Sequence, residues 1–363
     1  MTRTSADVVI IGAGVSGLCS ALALADDGLD VVLVSDVRPG EASAAAGGIL
    51  DTAHGCAATD PGLQAVFRQA RDLWPAFTAS LCDRTGVPVP MNRDGILELA
   101  TSIHAADALR DRAGVEAEWL DAAALTALEP QLGHAKGALR HRHDGAVNPL
   151  VLLRALKAAV GRHVHVRIVT GTVAGISPGA AGAATGIALA DGTAISTMRV
   201  VLAAGVWSGD ITGLPSPLPL APLKGQMISV ASRALRHVVM LGDGYAIPRG
   251  DGRTILGTTA EHAGFDARHT EEGVQAIRAL ATAILPALGS AGLLNAWAGF
   301  RPMTPDGLPI IGPDPIAPSL IYACGHGRNG ILLAPLTGQL VHAAVTLRPA
   351  RTDGNAFSPL RLR

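Results

Sequence analysis

The stretch that decides the fold is Asp7-Val8-Val9-Ile10-Ile11-Gly12-Ala13-Gly14-Val15-Ser16-Gly17. Its apolar run ends at Gly12, and a helical pattern follows from Leu18 to Asp26. A second apolar run, Val31-Val32-Leu33-Val34, ends at Ser35-Asp36. The order predicts a strand, a glycine turn, a helix and a second strand. This unit is typical of dinucleotide-binding folds.

Each glycine of the turn has a separate physical role. Gly12 permits the tight turn, Gly14 lets the backbone approach a pyrophosphate, and Gly17 lets the helix pack closely on the strand. The helix N-terminus offers free N–H groups and a positive dipole end to phosphates. Asp36 lies about twenty residues further on, where a carboxylate accepts from a ribose hydroxyl. A βαβ turn without a ligand is the alternative, and the motif alone does not choose between NAD and FAD.

Length and charge restrict the class of protein. A chain of 363 residues suggests two domains. The net charge of −1 predicts no nucleic-acid partner and no membrane surface. No apolar run reaches the ~18 residues of a membrane span, and the first residues lack the pattern of a signal peptide. We therefore expect a cytoplasmic setting, in which these scattered cysteines form no disulfide framework: Cys19, Cys56, Cys82 and Cys324.

Several later segments carry specific predictions. The small-residue run Ala42–Ile49 favours a loop against a bulky ligand over the start of an Ala-rich helix. Asp60–Asp83 predicts one long helix, and Gly299–Pro309 predicts a turn-rich loop. The strand Arg199–Gly205 is apolar enough for a parallel sheet buried on both faces. The tail after Pro349 is predicted to be loosely held.

Histidines raise the question of a metal site. His141, His143 and Asp144 share a polar turn, but no further ligand is evident nearby, so we predict no metal. His54 stands alone, which is more typical of a structural or solvated histidine.

Taken together, these segments resemble the flavin-dependent amine and amino-acid oxidases that include D-amino acid oxidase, glycine oxidase and sarcosine oxidase, with glycine oxidases the most similar. The matching pieces span nearly the whole chain: Val9–Gly17, Ser43–Gly48, Val200–Ser208, Tyr245–Arg249, Gly299–Gly312 and Gly325–Leu333. The resemblance implies an α/β chain with a Rossmann-like FAD-binding domain and a second, mainly antiparallel-sheet substrate domain. We assign residues 1–84, 145–216 and 299–350 to the first, 85–144 and 217–298 to the second, and 351–363 to a tail.

The resemblance also implies noncovalent FAD. A glutamate is usual at the ribose position of glycine oxidases, whereas this chain has Ser35 followed by Asp36, which resembles D-amino acid oxidase. Sarcosine oxidases attach flavin to a cysteine near the turn that corresponds to Arg301–Met303, and no cysteine stands there. The implied cofactor-binding residues are Gly12, Ala13, Gly14, Val15, Ser16, Gly17, Ser35, Asp36, Ala42, Ser43, Ala46, Gly47, Gly48, Val173, Gly205, His326, Gly327, Arg328, Asn329, Gly330, Ile331 and Leu332.

Arginine and tyrosine are the candidate substrate-binding residues. Arg301 suits a carboxylate because its guanidinium is planar and bidentate. We expect it to have a partner, and an ion pair with Asp306 that locks two domains is the alternative role. Tyr245 is a candidate second donor or a surface strand residue, and Arg328 either borders the substrate or seals the flavin pocket.

The implied reaction is hydride transfer from the substrate α-carbon to flavin N5, with no strictly required acid–base residue. The partners are a small amino acid or amine and O2, the products are an oxo acid, ammonia and H2O2, and homo-oligomer formation stays open. Asp243 replaces the histidine that precedes the tyrosine in glycine oxidases, which weakens the case for glycine itself. Three alternatives remain: a dehydrogenase that passes electrons to a quinone or protein, a flavoprotein without turnover, and an NAD dehydrogenase.

Overall fold

The computed structural model describes residues 5–54, 60–179 and 184–362. Its strands, in chain order, are β1 (Ser5–Ile11), β2 (Val31–Ser35), β3 (Ile49–Leu50), β4 (Met91–Asn92), β5 (Ile96–Ala100), β6 (Ala117–Asp121), β7 (Gly137–His141), β8 (Gly145–Val147), β9 (Val166–Thr170), β10 (Val173–Pro178), β11 (Ala184–Leu189), β12 (Ala194–Leu202), β13 (Ala221–Ala231), β14 (Val238–Leu241), β15 (Gly244–Pro248), β16 (Arg253–Gly257), β17 (Leu293–Met303), β18 (Ile310–Pro313) and β19 (Leu320–Cys324).

The α-helices are α1 (Val15–Asp26), α2 (Ala42–Ala45), α3 (Pro61–Asp72), α4 (Trp74–Thr85), α5 (Ile103–Arg110), α6 (Ala122–Leu128), α7 (Pro149–Gly161), α8 (Glu271–Ile284), α9 (Pro286–Gly289) and α10 (Gly330–Thr346). Short 3-10 helices cover Pro130–Leu132, Gly205–Asp210, Asn355–Phe357 and Pro359–Leu362. Within the described ranges, no helix is both long enough and apolar enough to cross a membrane.

The first sheet, sheet I, places β9, β2, β1, β12 and β19 side by side in parallel. Val8 and Ile10 of β1 pack in one core with helices α1, α7 and α10, whereas Val9 and Ile11 pack in another core with the β10–β11 hairpin. Alternate side chains of a strand point to opposite faces, so a strand that is covered on both faces is apolar throughout. This explains the continuous apolar runs of the sequence.

The second sheet, sheet II, has the strand order β17-β13-β16-β15-β14-β5-β7-β6. Only the β14–β5 pair among these described strands is parallel, and the other pairs are antiparallel. Helix α8 covers one face, where Ile277 and Ile284 share a core with Ile228. The other face carries Met227 and Tyr245, which share a hydrophobic cluster with Ile49 and Ala146 of a small third sheet, β3-β8-β4.

The α/β class with a Rossmann-like unit and a mainly antiparallel second sheet is therefore confirmed. The division into two domains stays a prediction. The strand β17 runs without a break across the predicted boundary at residue 299.

The prediction of one long helix over Asp60–Asp83 is wrong. Asp60 caps α3 as expected, accepting from the backbone N–H groups of Gly62 at 2.8 Å and Leu63 at 3.1 Å. The helix ends at Asp72, however, and α4 begins at Trp74. Pro75 explains the break, since it has no N–H to donate to the carbonyl four residues earlier.

The predicted loop Gly299–Pro309 is also partly wrong, because its first five residues belong to β17. Arg301 lies opposite Leu223 of β13, and Pro302 lies opposite Pro222. Proline is tolerated here since β17 is an edge strand of sheet II, where one side needs no donors.

The small-residue run gave a mixed outcome. Ala42–Ala45 form the short helix α2, and Ala46 then leaves it in an extended conformation. The predicted strand Arg199–Gly205 ends earlier, at Leu202, and Gly205 begins a 3-10 helix.

The tail is not loosely held. Phe357 is fully buried in the core beneath α10, and Nε of Arg361 pairs with Oδ2 of Asp306 at 2.7 Å. Apolar burial and an ion pair thus fix a segment whose composition alone predicted little order.

Candidate active site

A cleft of about 420 Å³ opens at the carboxyl ends of the parallel strands, and residues of sheet II form its opposite wall. Its size is typical of a small-molecule site, and its position is where open α/β sheets bind ligands. Ile11 and Val34 come from sheet I, Ala203 directly follows β12, and Met227 and Tyr245 come from sheet II. All predicted cofactor- and substrate-binding residues line this cleft except Gly17 and Leu332.

Gly17 and Leu332 do not line the cleft, because each contributes to packing next to it. A Cβ on Gly17 would come within 1.9 Å of the Gly12 carbonyl oxygen, so Gly17 serves the contact between α1 and the turn. Leu332 is buried in the core, and its carbonyl accepts from Nε1 of Trp74 at 3.0 Å.

The glycine turn has the features that a pyrophosphate requires. Gly12 has φ +107°, and a Cβ there would meet the Ala203 carbonyl oxygen at 2.5 Å. Gly14 caps α1 without a side-chain hydrogen bond, and no acidic residue lies in the first helical turn. The backbone N–H of Val15 donates to Oγ of Ser43 at 3.1 Å. The turn therefore presents a positive helix end with no competing negative charge, which fits a dinucleotide phosphate.

Ser35, Asp36 and Val173, three of the predicted cofactor-binding residues, line the cleft. Ser35 Oγ accepts from the Ala13 N–H at 3.3 Å, so this serine supports the turn. Asp36 lines the cleft, and its carboxylate accepts from Oγ1 of Thr172 at 2.6 Å.

The small-residue loop packs closely on its neighbours, and Gly48 must be glycine because it has φ +81° and a Cβ there would lie 2.1 Å from the Val147 carbonyl oxygen. A Cβ on Gly47 would lie 2.9 Å from Cδ1 of Ile247 and 3.3 Å from the Tyr245 hydroxyl. Arg249, which the sequence did not single out as a site residue, braces this loop through hydrogen bonds to the carbonyls of Gly47 at 2.6 Å and Val147 at 3.1 Å. Burial lowers the pKa of Arg249 to about 10.

The loop before α10 closes the cleft at the other side. The Gly327 N–H donates to the Pro302 carbonyl at 3.0 Å, which joins this loop to β17. His326 is buried, and its Nε2 lies 3.0 Å from Oγ1 of Thr337. Burial lowers the pKa of His326 to about 4, so the ring is neutral near pH 7.

Arg301 lies in the cleft with its guanidinium held by backbone and hydroxyl groups. Nη2 donates to Oγ1 of Thr258 at 2.8 Å, and Nη1 donates to the Thr259 carbonyl at 3.2 Å. A Cβ on Gly225 would come within 2.6 Å of Nη2, so the guanidinium rests directly on this glycine. The alternative role for Arg301 is wrong, because Asp306 pairs with Arg361 instead. Among the described residues, no carboxylate pairs with Arg301.

Tyr245 lies in the same part of the cleft as Arg301. Its hydroxyl donates to Sδ of Met227 at 2.7 Å. Burial raises the pKa of Tyr245, while the positive charge of Arg301 and a hydrogen bond with Thr258 oppose that rise. The phenol is therefore neutral and keeps a proton to donate.

Arg328 begins a chain of charged side chains that sequence reasoning did not find. Its Nη2 pairs with Oδ2 of Asp51 at 3.2 Å, and Oδ1 of Asp51 lies 2.8 Å from Nδ1 of His54. Nε2 of His54 lies 2.9 Å from Oε2 of Glu98, which also pairs with Arg112. Burial lowers the pKa of His54, but Asp51 and Glu98 together raise it to about 9. In the sequence, only the position of Asp51 directly after the glycine loop and β3 could have indicated that this aspartate belongs to the site.

The residues that the sequence suggested as metal ligands, His141, His143 and Asp144, do not converge on one site. His143 is exposed, whereas Asp144 is buried and accepts from Arg71 at 3.0 Å. His54, Glu98 and His141 do offer ligand atoms within 4.8 Å of one another, which is a donor set that zinc can use. Their ion pairs with each other and with Asp51 and Arg112 account for this arrangement. The prediction that the chain has no metal site stays a prediction.

The family described as DAO, FAD dependent oxidoreductase, matches residues 7–344. The chain belongs to this family. Glycine oxidase from Pseudomonas putida is 35% identical over 367 residues, which covers 98% of this chain and 98% of that protein. Glycine oxidase from Geobacillus kaustophilus superposes with a TM-score of 0.90 at 30% identity, covering 98% of both chains. Iminodiacetate oxidase from Chelativorans sp. BNC1 has a TM-score of 0.88 at 25% identity, covering 97% of this chain and 98% of that chain.

Membership of the DAO family confirms FAD as the cofactor and rules out the NAD dehydrogenase. The chain is an FAD-dependent oxidoreductase of amino-acid oxidation. The open helix end at the glycine turn and the carboxylate of Asp36 in the same cleft are compatible with that cofactor.

Proposed function

We propose that this DAO-family enzyme oxidises glycine, sarcosine or another small (D-)amino acid with noncovalent FAD and O2. The products are an oxo acid, ammonia or an amine, and H2O2. The observation that carries the proposal is Arg301, a cleft arginine that has neutral partners and, within the described ranges, no acidic one.

Arg301 has the donors that an amino-acid carboxylate needs. A guanidinium has five N–H groups, and Thr258 and Thr259 take one from each Nη. The remaining donors can bind both oxygens of a carboxylate in a fixed plane. Because the two threonine contacts hold the guanidinium on Gly225, the bound acid group has a defined direction.

Tyr245 supplies the second contact to the same acid group. Its present acceptor is a thioether sulfur, which is a weak acceptor. A substrate carboxylate is a far stronger one, so the hydroxyl is expected to turn towards the substrate.

Bound FAD supplies the hydride acceptor for this chemistry. We propose that Gly12 to Ser16 hold its pyrophosphate, that Asp36 holds a ribose, and that the loop from Ala42 to Gly48 lies along the flavin. The chain then contributes position: it fixes the acid group so that the neighbouring C–H bond faces the flavin. No acid–base side chain is strictly required if the amine enters neutral.

Anaerobic flavin reduction tests the proposal with glycine, sarcosine, D-alanine, D-proline, iminodiacetate and a basic D-amino acid. We expect Arg301→Ala to raise the apparent Kd of the best substrate about 100-fold, since a charged partner is lost, while FAD stays bound. Arg348→Ala is the matched control, because Arg348 is an exposed arginine that pairs with Asp27 on the surface. An unchanged Kd in Arg301→Ala removes the anchoring role.

Aerobic turnover then separates the two classes of acceptor. Stoichiometric peroxide supports the oxidase, whereas flavin reduction without peroxide supports the dehydrogenase alternative. Flavin that no amino acid or amine reduces supports a binding protein without turnover. A cytoplasmic location and a homo-oligomer stay predictions from the sequence.

A further inference from the structure

The substrate end of the cleft contains two arginines in different electrostatic states. Arg301 and Arg328 both line the cleft, and the charges of both act on the Tyr245 hydroxyl. Arg301 has no acidic partner among the described residues, whereas Arg328 pairs with Asp51 at 3.2 Å. One arginine is therefore free for an anion, and the other is already neutralised.

The position of Asp51 is fixed from behind. Its side chain is only 6% exposed, and Oδ1 accepts from the Ala53 N–H at 3.0 Å and lies 2.8 Å from Nδ1 of His54. His54 is in turn 2.9 Å from Glu98, which Arg112 holds at 2.8 Å. Asp51 thus cannot turn away from Arg328 when an anion approaches, because that would break its contacts with the loop and with His54.

Asp51 is also charged at neutral pH. Burial raises its pKa, but the hydrogen bond with His54 and the charges of His54 and Arg328 outweigh burial and leave the pKa below its ordinary value. Burial and the negative charge of Asp51 both raise the pKa of the neighbouring Asp144 carboxyl. A substrate anion at Arg328 would therefore meet a fixed negative charge.

We propose that Asp51 determines substrate specificity by neutralising Arg328, so that the cleft accepts amino acids with one carboxylate and disfavours those with a second. The inference rests on the proposed function, because it concerns the acid groups of an amino-acid substrate. Arg301 binds the first carboxylate, and a second carboxylate finds at Arg328 a cation that is already paired. Like charges that are brought together on binding cost affinity, and this cost discriminates between ligands.

The test compares sarcosine with iminodiacetate, in which a second carboxylate has been added to the same secondary amine. Purified holoenzyme variants are mixed anaerobically with each compound, and kcat/KM for flavin reduction is measured. If iminodiacetate gives no reduction, its inhibition constant against sarcosine replaces kcat/KM. We expect Asp51→Asn to improve iminodiacetate relative to sarcosine by about fivefold, a modest value because Arg328 is 39% exposed and partly screened.

Three further variants make the result specific. Asp51→Glu keeps the charge and should keep the wild-type preference. Asp251→Asn removes a carboxylate that pairs with Arg253 away from the residues lining the cleft, and it should not change the ratio. In the double variant Asp51→Asn/Arg328→Met, the gain for iminodiacetate should disappear, since its binding partner is gone.

The outcomes separate this inference from the proposed function. If no amino acid reduces the flavin of the wild-type protein, the proposed function fails. If sarcosine or glycine reduces it but Asp51→Asn leaves the ratio unchanged, or the gain persists without Arg328, the specificity role of Asp51 is overturned. If Asp51→Asn binds too little FAD, His54→Gln is tested instead. This variant removes the contact between His54 and Asp51 without changing a residue that lines the cleft. It must shift the preference for iminodiacetate over sarcosine in the same direction as Asp51→Asn.

Discussion

Gly225→Ala is the substitution whose effect can be worked out most directly from the structure. An added Cβ would lie 2.6 Å from Nη2, 2.7 Å from Nη1 and 2.8 Å from Cζ of Arg301. An ordinary contact needs about 3.5 Å, so the guanidinium must move by about 1 Å. That movement breaks or lengthens the hydrogen bonds to Thr258 at 2.8 Å and Thr259 at 3.2 Å.

Substrate positioning should suffer far more than stability. A displacement of about 1 Å at a positioning group can reduce the rate about 100-fold. We therefore expect kcat/KM for flavin reduction to fall by roughly 10- to 100-fold. The displaced atoms are the end of a flexible side chain, so the loss in unfolding free energy should stay near 1 kcal/mol, the typical value of one net hydrogen bond.

The assay is anaerobic stopped-flow reduction of bound FAD by the best substrate of the panel, with FAD content and Tm measured in parallel. Gly250→Ala is the control, because a Cβ there meets nothing within 4 Å and the residue follows β15 in the same sheet. If Gly225→Ala keeps kcat/KM within twofold of the wild type, the guanidinium does not position the substrate. The reasoning about Arg301 would then be refuted.

Two further predictions concern stability. The pKa of His326 is lowered from 6.5 to about 4 in the folded protein, so the unfolded chain takes up the proton first as the pH falls. Stability is fully present above pH 6.5 and should decline by up to about 3 kcal/mol between pH 6.5 and 4; chemical denaturation of His326→Gln across this range should show a smaller decline, and an equal decline would contradict the assignment. Phe357→Ala should lower the unfolding free energy by about 3–5 kcal/mol, because this tail residue is fully buried. Phe265→Ala, at a residue that is 50% exposed, is the control, and equal losses in urea denaturation would mean that the tail is not packed as described.

The course of the chain shows why some elements were predictable and others were not. The strand β1, the glycine turn and α1 are local: their hydrophobic pattern and glycine spacing are set within one stretch of sequence. The break between α3 and α4 was readable in principle from Pro75. The strand β17 was not, because Pro302 signals a turn unless the strand is known to lie at a sheet edge, and edge position is a property of the whole sheet.

The candidate site divides in the same way. Arg301, Tyr245 and Arg328 were found because their residue types suit an amino-acid carboxylate, and the tertiary structure brings all of them to one cleft. The sequence could not show which of the two arginines lacks an acidic partner. The partner of Arg328 is Asp51, which lies 277 residues earlier, and Asp306 pairs with Arg361 of the tail. Ion pairs between such distant residues depend on how the sheets pack.

The sequence by itself determined the nucleotide-binding unit, the absence of an acidic charge from the first turn of its helix, and the residue types available to an acid substrate. These follow from hydrogen bonding and side-chain periodicity over short distances. Only the tertiary structure decided that Gly225 supports Arg301 and that Asp51 neutralises Arg328. The physical reason is that steric contact and charge pairing act through space. Residues far apart in the sequence are brought into contact only by the packing of the sheets, as Arg301 is with Thr258 at 2.8 Å and Arg328 with Asp51 at 3.2 Å.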